Sequence, residues 1–244
     1  MGVSGANSGQ VTVWNAEGYS KVTGLNAHRD WVQAVDVSPD GTRIATGSDD
    51  IKTICVWSLS TGERLLGPVK HDHWVVAVKF SPDGHCVATG TWQRDSVRIC
   101  DSQNGRLLVE FPIKVNSAYN QSLAWANDSN QLFVLSHDGK IHCLDVSTGT
   151  TLSKWAIHSS DKARCIALAS NGTFIAVSAN SSMSFWDTTT HGRTGSVTKY
   201  TENIRSMAIS ANYDLVTGGD KTITLLRLCD ILPSRYLVNV RVFM

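Results

Sequence analysis

Trp31-Val-Gln-Ala-Val-Asp-Val-Ser-Pro-Asp-Gly-Thr-Arg-Ile-Ala-Thr-Gly-Ser48 returns 43 residues later as Trp74-Val-Val-Ala-Val-Lys-Phe-Ser-Pro-Asp-Gly-His-Cys-Val-Ala-Thr-Gly-Thr91, so the chain is a tandem repeat. A period near that length marks a β-propeller. Units of this kind leave apolar surface that only their neighbours cover. The repeat therefore dictates the architecture and moves the expected function from chemistry toward binding.

One anchor at the end of each third strand carries the period along the chain: Trp14, Trp57, Cys100, Leu144, Trp186 and Leu226. The segments around the anchors are short, β-branched and bounded by turn residues. No segment holds a long 3.6-residue period, and an all-β chain is expected. In the first full unit the pattern predicts strands over residues 32–37, 43–46, 53–57 and 64–69. Ser38-Pro39-Asp40-Gly41 joins the first two; Pro pre-sets the second position of a type I turn and Gly suits the fourth. Ser81-Pro82-Asp83-Gly84 repeats the device, and Asn171-Gly172 serves the same connection later. Val35 and Val37 are expected on a strand covered on both faces.

The order His28, Ser-Pro-Asp-Gly, Thr-Gly-Ser-Asp-Asp, Ile-Cys-Val-Trp57 resembles the WD40 repeat, and Trp186-Asp187 is that family's name dipeptide. The resemblance runs from Val3 to about Leu228, and the style is also similar to WD40 arrays fused to fungal signalling nucleotidases. It implies a buried network in each blade: an Asp before the third strand, a His before the first, a Ser or Thr in the second, and the Trp anchor. The first full unit supplies His28, Thr46 or Ser48, Asp49 or Asp50, and Trp57; the second supplies His71, Thr89 and Asp95, with Cys100 for Trp. The third retains Asp138 with Leu144, the fourth has His158, Asn180 and Trp186, and the fifth keeps Asp220 with Leu226. An Asp that loses its indole partner is expected to be a buried orphan costing about 1–3 kcal/mol, making the later blades softer.

The whole chain is read as a single WD40-like domain, with a partial blade over 1–24 and units over about 25–67, 68–111, 112–156, 157–199 and 200–244. Val3-Ser-Gly is taken as the end of a second strand, residues 11–14 as a third and 21–23 as a fourth. On that count the first blade lacks its two inner strands, and the tail from Tyr236 to Phe243 is expected to supply the last outer strand. Three arrangements remain open: a six-bladed ring patched by the tail, part of a seven-bladed domain, or an assembly that borrows strands. An incomplete ring is favoured, and its open strand edges invite self-association.

With 244 residues, 42% of them hydrophobic, the chain can bury a substantial core. A net charge of +1 without basic runs argues against nucleic-acid binding. There is no apolar run long enough for a membrane span, and no secretory signal is visible. Gly2 is read as strand rather than as a myristoylation site, because Ala6 stands where that motif needs Ser or Thr. Cys55, Cys86, Cys100, Cys143, Cys165 and Cys229 show no Cys-x-x-Cys pair and are expected as buried, reduced thiols. Together these features suit a cytoplasmic or nuclear protein. The sequons at Asn120, Asn127, Asn171 and Asn180 are read as turn residues.

No catalytic residue, cofactor or metal is assigned. His28, Ser48 and Asp50 are triad residue types, but there is no Gly-x-Ser-x-Gly elbow and the repeat gives them structural places. His71-Asp-His73 lacks a third ligand nearby; His71 occupies the repeat's structural position, and His73 is expected as an exposed loop residue. Phosphate-cradling glycine motifs are absent.

In WD40 proteins the residues at the start of each innermost strand ring the channel mouth and contact partners. Aligning the units puts Trp31, Trp74, Tyr119, Lys162 and Asn203 at the first such position, and Gln33, Val76, Gln121, Arg164 and Arg205 at the second. The result is an aromatic arc beside a basic one, which suits a peptide with an apolar or aromatic segment next to an acidic one. The same residues also fit a plainer role, as blade covers and solvated charges. The expected function is a non-enzymatic scaffold for protein or peptide partners; the alternative is a sensor or regulatory WD40 segment of a larger signalling protein. A hydrolase or carbohydrate-binding propeller is the third and weakest expectation.

Overall fold

Gly41 N donates to Ser38 O at 2.9 Å and Gly41 takes φ +68, so Ser38–Gly41 is the tight reversal that its Pro-Asp-Gly chemistry requires. Asp40 Oδ1 accepts from Ser38 Oγ at 2.5 Å and from Thr42 N at 3.0 Å. Those bonds hold the Asp40 carboxyl at a pKa of about 2. The second copy is built alike: Gly84 N donates to Ser81 O at 2.8 Å and Ser81 Oγ to Asp83 Oδ1 at 2.5 Å.

The computed structural model describes residues 2–15, 17–18, 20–49, 52–92, 96–115, 121–157 and 163–237. Within them the chain forms a six-bladed β-propeller of small antiparallel sheets. Blade 1 holds β1 (Gly2–Gly5), β2 (Gln10–Trp14) and β3 (Lys21–Asn26); blade 2 holds β4 (Val32–Val37), β5 (Arg43–Ser48), β6 (Thr53–Ser58) and β7 (Arg64–Lys70). Blade 3 holds β8 (Val75–Phe80), β9 (Cys86–Thr91), β10 (Val97–Asp101) and β11 (Leu107–Phe111); blade 4 holds β12 (Leu123–Trp125), β13 (Gln131–Leu135), β14 (Lys140–Asp145) and β15 (Thr150–Ala156). Blade 5 holds β16 (Ala163–Leu168), β17 (Phe174–Ala179), β18 (Ser182–Asp187) and β19 (Arg193–Lys199), and blade 6 holds β20 (Ser206–Ile209), β21 (Asp214–Gly218) and β22 (Ile223–Arg227).

The four strands expected for the first full unit are found within two residues of their expected ends. Val3-Ser-Gly lies in a second strand as expected, but the number of strands missing from blade 1 and the place of the tail differ from expectation. β1 pairs with β2 along its length, Gly2 opposite Trp14 and Gly5 opposite Val11, so among the described residues blade 1 lacks only its innermost strand. Tyr236 lies in a 3-10 turn, Ser234–Tyr236, and not in an outer strand of blade 6. Its hydroxyl donates to Asp187 Oδ2 at 2.6 Å and its ring meets Phe174 edge-on, so an acceptor and an apolar wall of blade 5 hold it there. Residues 238–244, the rest of the expected strand, lie outside the described residues.

Consecutive blades share apolar clusters. Val11 and Val13 pack with Ile44 and Trp57; Ile54 and Val56 with Val75 and Val78; Val97 and Ile99 with Trp125. Ile141 packs with Ile166 and Trp186, and Phe185 with Met207 and Leu215. Each such burial stabilises the array by about 1.5–3 kcal/mol per large side chain.

The innermost strands line a channel of about 440 Å³. Val35, which borders that channel, and Val37 are only half-buried, so the expected two-sided cover is incomplete. Asp36 ties blade 2 to blade 3, accepting from Lys79 Nζ at 2.7 Å and from Phe80 N at 2.8 Å. Gln121 Oε1 accepts from Met207 N at 2.8 Å, a bond that passes from blade 4 to blade 6 and skips blade 5. Cys55, Cys100, Cys143 and Cys165 are buried as expected, but Cys86 is half-buried and Cys229 is exposed in the 3-10 turn after β22.

Candidate functional site

In blades 2 and 3 the buried network is built around a threonine of the second strand. His28 Nε2 lies 2.8 Å from Thr46 Oγ1, and Trp57 Nε1 donates to the same oxygen at 3.0 Å. Thr46, rather than Ser48, therefore takes the hydroxyl place; Ser48 Oγ donates to Trp31 O at 2.6 Å. In blade 3 His71 Nε2 lies 2.9 Å from Thr89 Oγ1. Burial pushes the His71 pKa down to about 4, leaving the ring neutral near pH 7. Asp50, Asp95 and His158 fall outside the described residues.

Among the described residues, the two acceptors expected as buried orphans in the third and fifth units, Asp138 and Asp220, are exposed and partnered. Asp138 is exposed and accepts from Ser136 Oγ at 2.5 Å and from Lys140 Nζ, so neighbouring side chains replace the missing indole. Asp220 is also exposed, and it pairs with Arg205.

The end of the propeller at which the innermost strands begin carries Trp31 on blade 2 and an aromatic cluster on blade 3. Trp31 precedes β4 and is 49% exposed. Trp74 holds the equivalent place before β8 and packs on Trp92, ring centres 4.7 Å apart. His73 closes the cluster edge-on, 5.3 Å from Trp74 and 6.4 Å from Trp92, and its Nδ1 accepts from Trp74 N at 2.9 Å. His73 is thus half-buried against two indoles, contrary to the expected exposed loop position.

Asp49 lies between these groups. Its N donates to Trp31 O at 3.3 Å, as Trp92 N donates to Trp74 O at 2.9 Å in the next blade. Asp49 Oδ2 accepts from Gln33 Nε2 at 2.9 Å, while the buried Oδ1 finds no donor among the described residues. Burial raises the Asp49 pKa, opposed by the Gln33 bond, and His73 acts on it electrostatically from blade 3. A carboxylate oxygen in that position favours an incoming N–H or cation.

The other expected contact residues are differently engaged. Gln121 faces the channel and holds Met207 N. Arg164 donates from Nε and Nη2 to Asn180 Oδ1 at 3.4 and 3.3 Å, and Arg205 is paired with Asp220. Tyr119 and Lys162 lie outside the described residues. The repeat pattern gave Asp49 only as a candidate for the buried network and did not single out Trp92, although each stands 18 residues after the tryptophan it bonds to, at equivalent points in consecutive units.

Compared with known families, residues 19–58 and 64–109 match the WD domain, G-beta repeat, and residues 115–171 match the WD40 domain of anaphase-promoting complex subunit 4. No curated protein matches the chain.

Proposed function

Because the chain is a WD40-repeat β-propeller protein, of a kind that generally serves as a protein-interaction scaffold, we propose that it is a non-enzymatic scaffold whose partner binds at Trp31, Asp49, Trp74 and Trp92. The observation that carries this is Asp49 Oδ1, buried without a donor among the described residues, between an exposed indole and a tilted indole pair. A peptide segment with an apolar or aromatic side chain covers the indoles while an adjacent N–H or cationic group reaches the carboxylate. Flat aromatics of this kind are common anchors because they bury much area at small entropic cost. The basic half, Lys162, Arg164 and Arg205, is the secondary part of the proposal. An acidic residue there competes with Asn180 for Arg164 and with Asp220 for Arg205.

Peptides selected from a displayed random library on the 244-residue chain provide the probe. Trp31→Ala with Trp74→Ala is expected to weaken the best peptide by about thirtyfold or more, the level of an interface hot spot. Trp31→Ala alone, at an exposed position, is expected to leave thermal melting unchanged and still reduce affinity. Unchanged affinity in both variants removes this surface as the binding site.

A further inference from the structure

The five junctions between consecutive blades share one construction. The residues three and one before each third-strand anchor face the following blade: Val11 and Val13, Ile54 and Val56, Val97 and Ile99, Ile141 and Cys143, Met183 and Phe185, all buried. In blade 6 the same two positions are Ile223 and Leu225, which are 82% and 64% exposed. Val216, opposite Leu225 on β21, is 39% exposed. The other face of this sheet, with Met207, Leu215 and Leu226, packs on blade 5. Among the described residues, blade 6 therefore carries a successor-facing surface on which no further blade packs.

Glycines point the same way. A Cβ added at Gly5, Gly47 or Gly90 would meet Val32, Val75 or Val115, from the segment that follows each blade, at 2.7, 2.7 and 2.9 Å. At Gly218, the equivalent position of blade 6, it would meet only Ser206 of the same sheet.

The opposite end of the array is the complement. In blade 2 the predecessor-facing side presents Trp57, bonded to Thr46 and 7% exposed beneath blade 1. Blade 1 presents Trp14, whose Nε1 donates to Ser4 Oγ at 2.9 Å, and it is 40% exposed. Both end faces are uncovered in one chain, so the chain's own blade 1 does not shield blade 6.

We propose that a second copy of this chain covers blade 6: the Val216, Ile223 and Leu225 face of one molecule receives the Trp14 and Ser4 face of the next. The contact joins sheet faces, not the strand edges expected from sequence. It is heterologous, so each added molecule keeps one free face of each kind, and the assembly grows until it closes or forms a filament.

Light scattering of the full chain over a wide concentration range provides the test. The mass is expected to rise with concentration in steps of 26.5 kDa. Ile223→Asp with Leu225→Asp, both at exposed positions, is expected to give a monomer with unchanged circular dichroism. Trp14→Ala is expected to do the same from the other end, with Thr12→Arg on that face as a second blocking variant. Mixing the two monomeric variants is expected to give a heterodimer and nothing larger, since only one competent pair of faces remains. A wild-type chain that stays monomeric throughout overturns the proposal. So does assembly that survives both Trp14→Ala and Thr12→Arg, or a mixture that stays monomeric.

Discussion

His71 Nε2 stands 2.9 Å from Thr89 Oγ1, in the same relation as His28 to Thr46 in the preceding blade. The ring is buried, and burial holds its pKa at about 4, below the ordinary 6.5. The unfolded chain therefore binds a proton that the folded chain refuses as pH falls from 6.5 toward 4. This contribution is complete above pH 6.5, declines through that window, and amounts to roughly 3 kcal/mol at most. His142, also lowered by burial, acts with the same sign. Asp40 and Asp138, held at about 2, lose their contributions only at more acid pH. Urea unfolding at about pH 7 and about pH 5 is expected to show the loss in wild type and a flatter profile in His71→Gln. Equal slopes would remove His71 as the origin.

Gly47→Ala is expected to destabilise the protein by about 1–3 kcal/mol, because the new methyl group meets Val75 Cγ1 at 2.7 Å and Val78 Cγ2 at 2.9 Å. Gly218→Ala meets only the Ser206 hydroxyl, which can rotate away, and is expected to cost less. Thermal melts of the two variants side by side check the order.

The cysteines are expected to separate by reactivity. Burial pushes the thiols of Cys100, Cys143 and Cys165 up to about 11, whereas Cys229 is exposed. Brief alkylation at neutral pH followed by peptide mass spectrometry is expected to label Cys229 first and Cys165 only after unfolding. Uniform labelling of the native chain contradicts the burial described.

The strands of blades 2 and 3 were legible because a period of 43 residues repeats both the Pro-Asp-Gly turn and the apolar faces around it. Trp31 and Trp74 were legible for the same reason, as equal positions in equal units. The departures arise from side-chain contacts that do not recur from unit to unit. Trp92 packs at a tilt on Trp74 although its counterpart in the preceding unit is Asp49, and Gln121 reaches a backbone N–H 86 residues away. Asp138 found a lysine two residues along its own strand pair, a local substitution that the WD40 pattern does not describe. The tail at Tyr236 turned back to blade 5 because Phe174 and Asp187 offer it both an apolar wall and an acceptor.

The Gln121 bond to Met207 N also bears on how the array of blades comes apart. An array whose modules touch only their immediate neighbours unravels from an end, one module at a time. Here a strut runs behind blade 5, so pulling blade 6 away loads blade 4 at once. Under mechanical force the last three blades are thus coupled, and the weak point shifts toward the amino-terminal half.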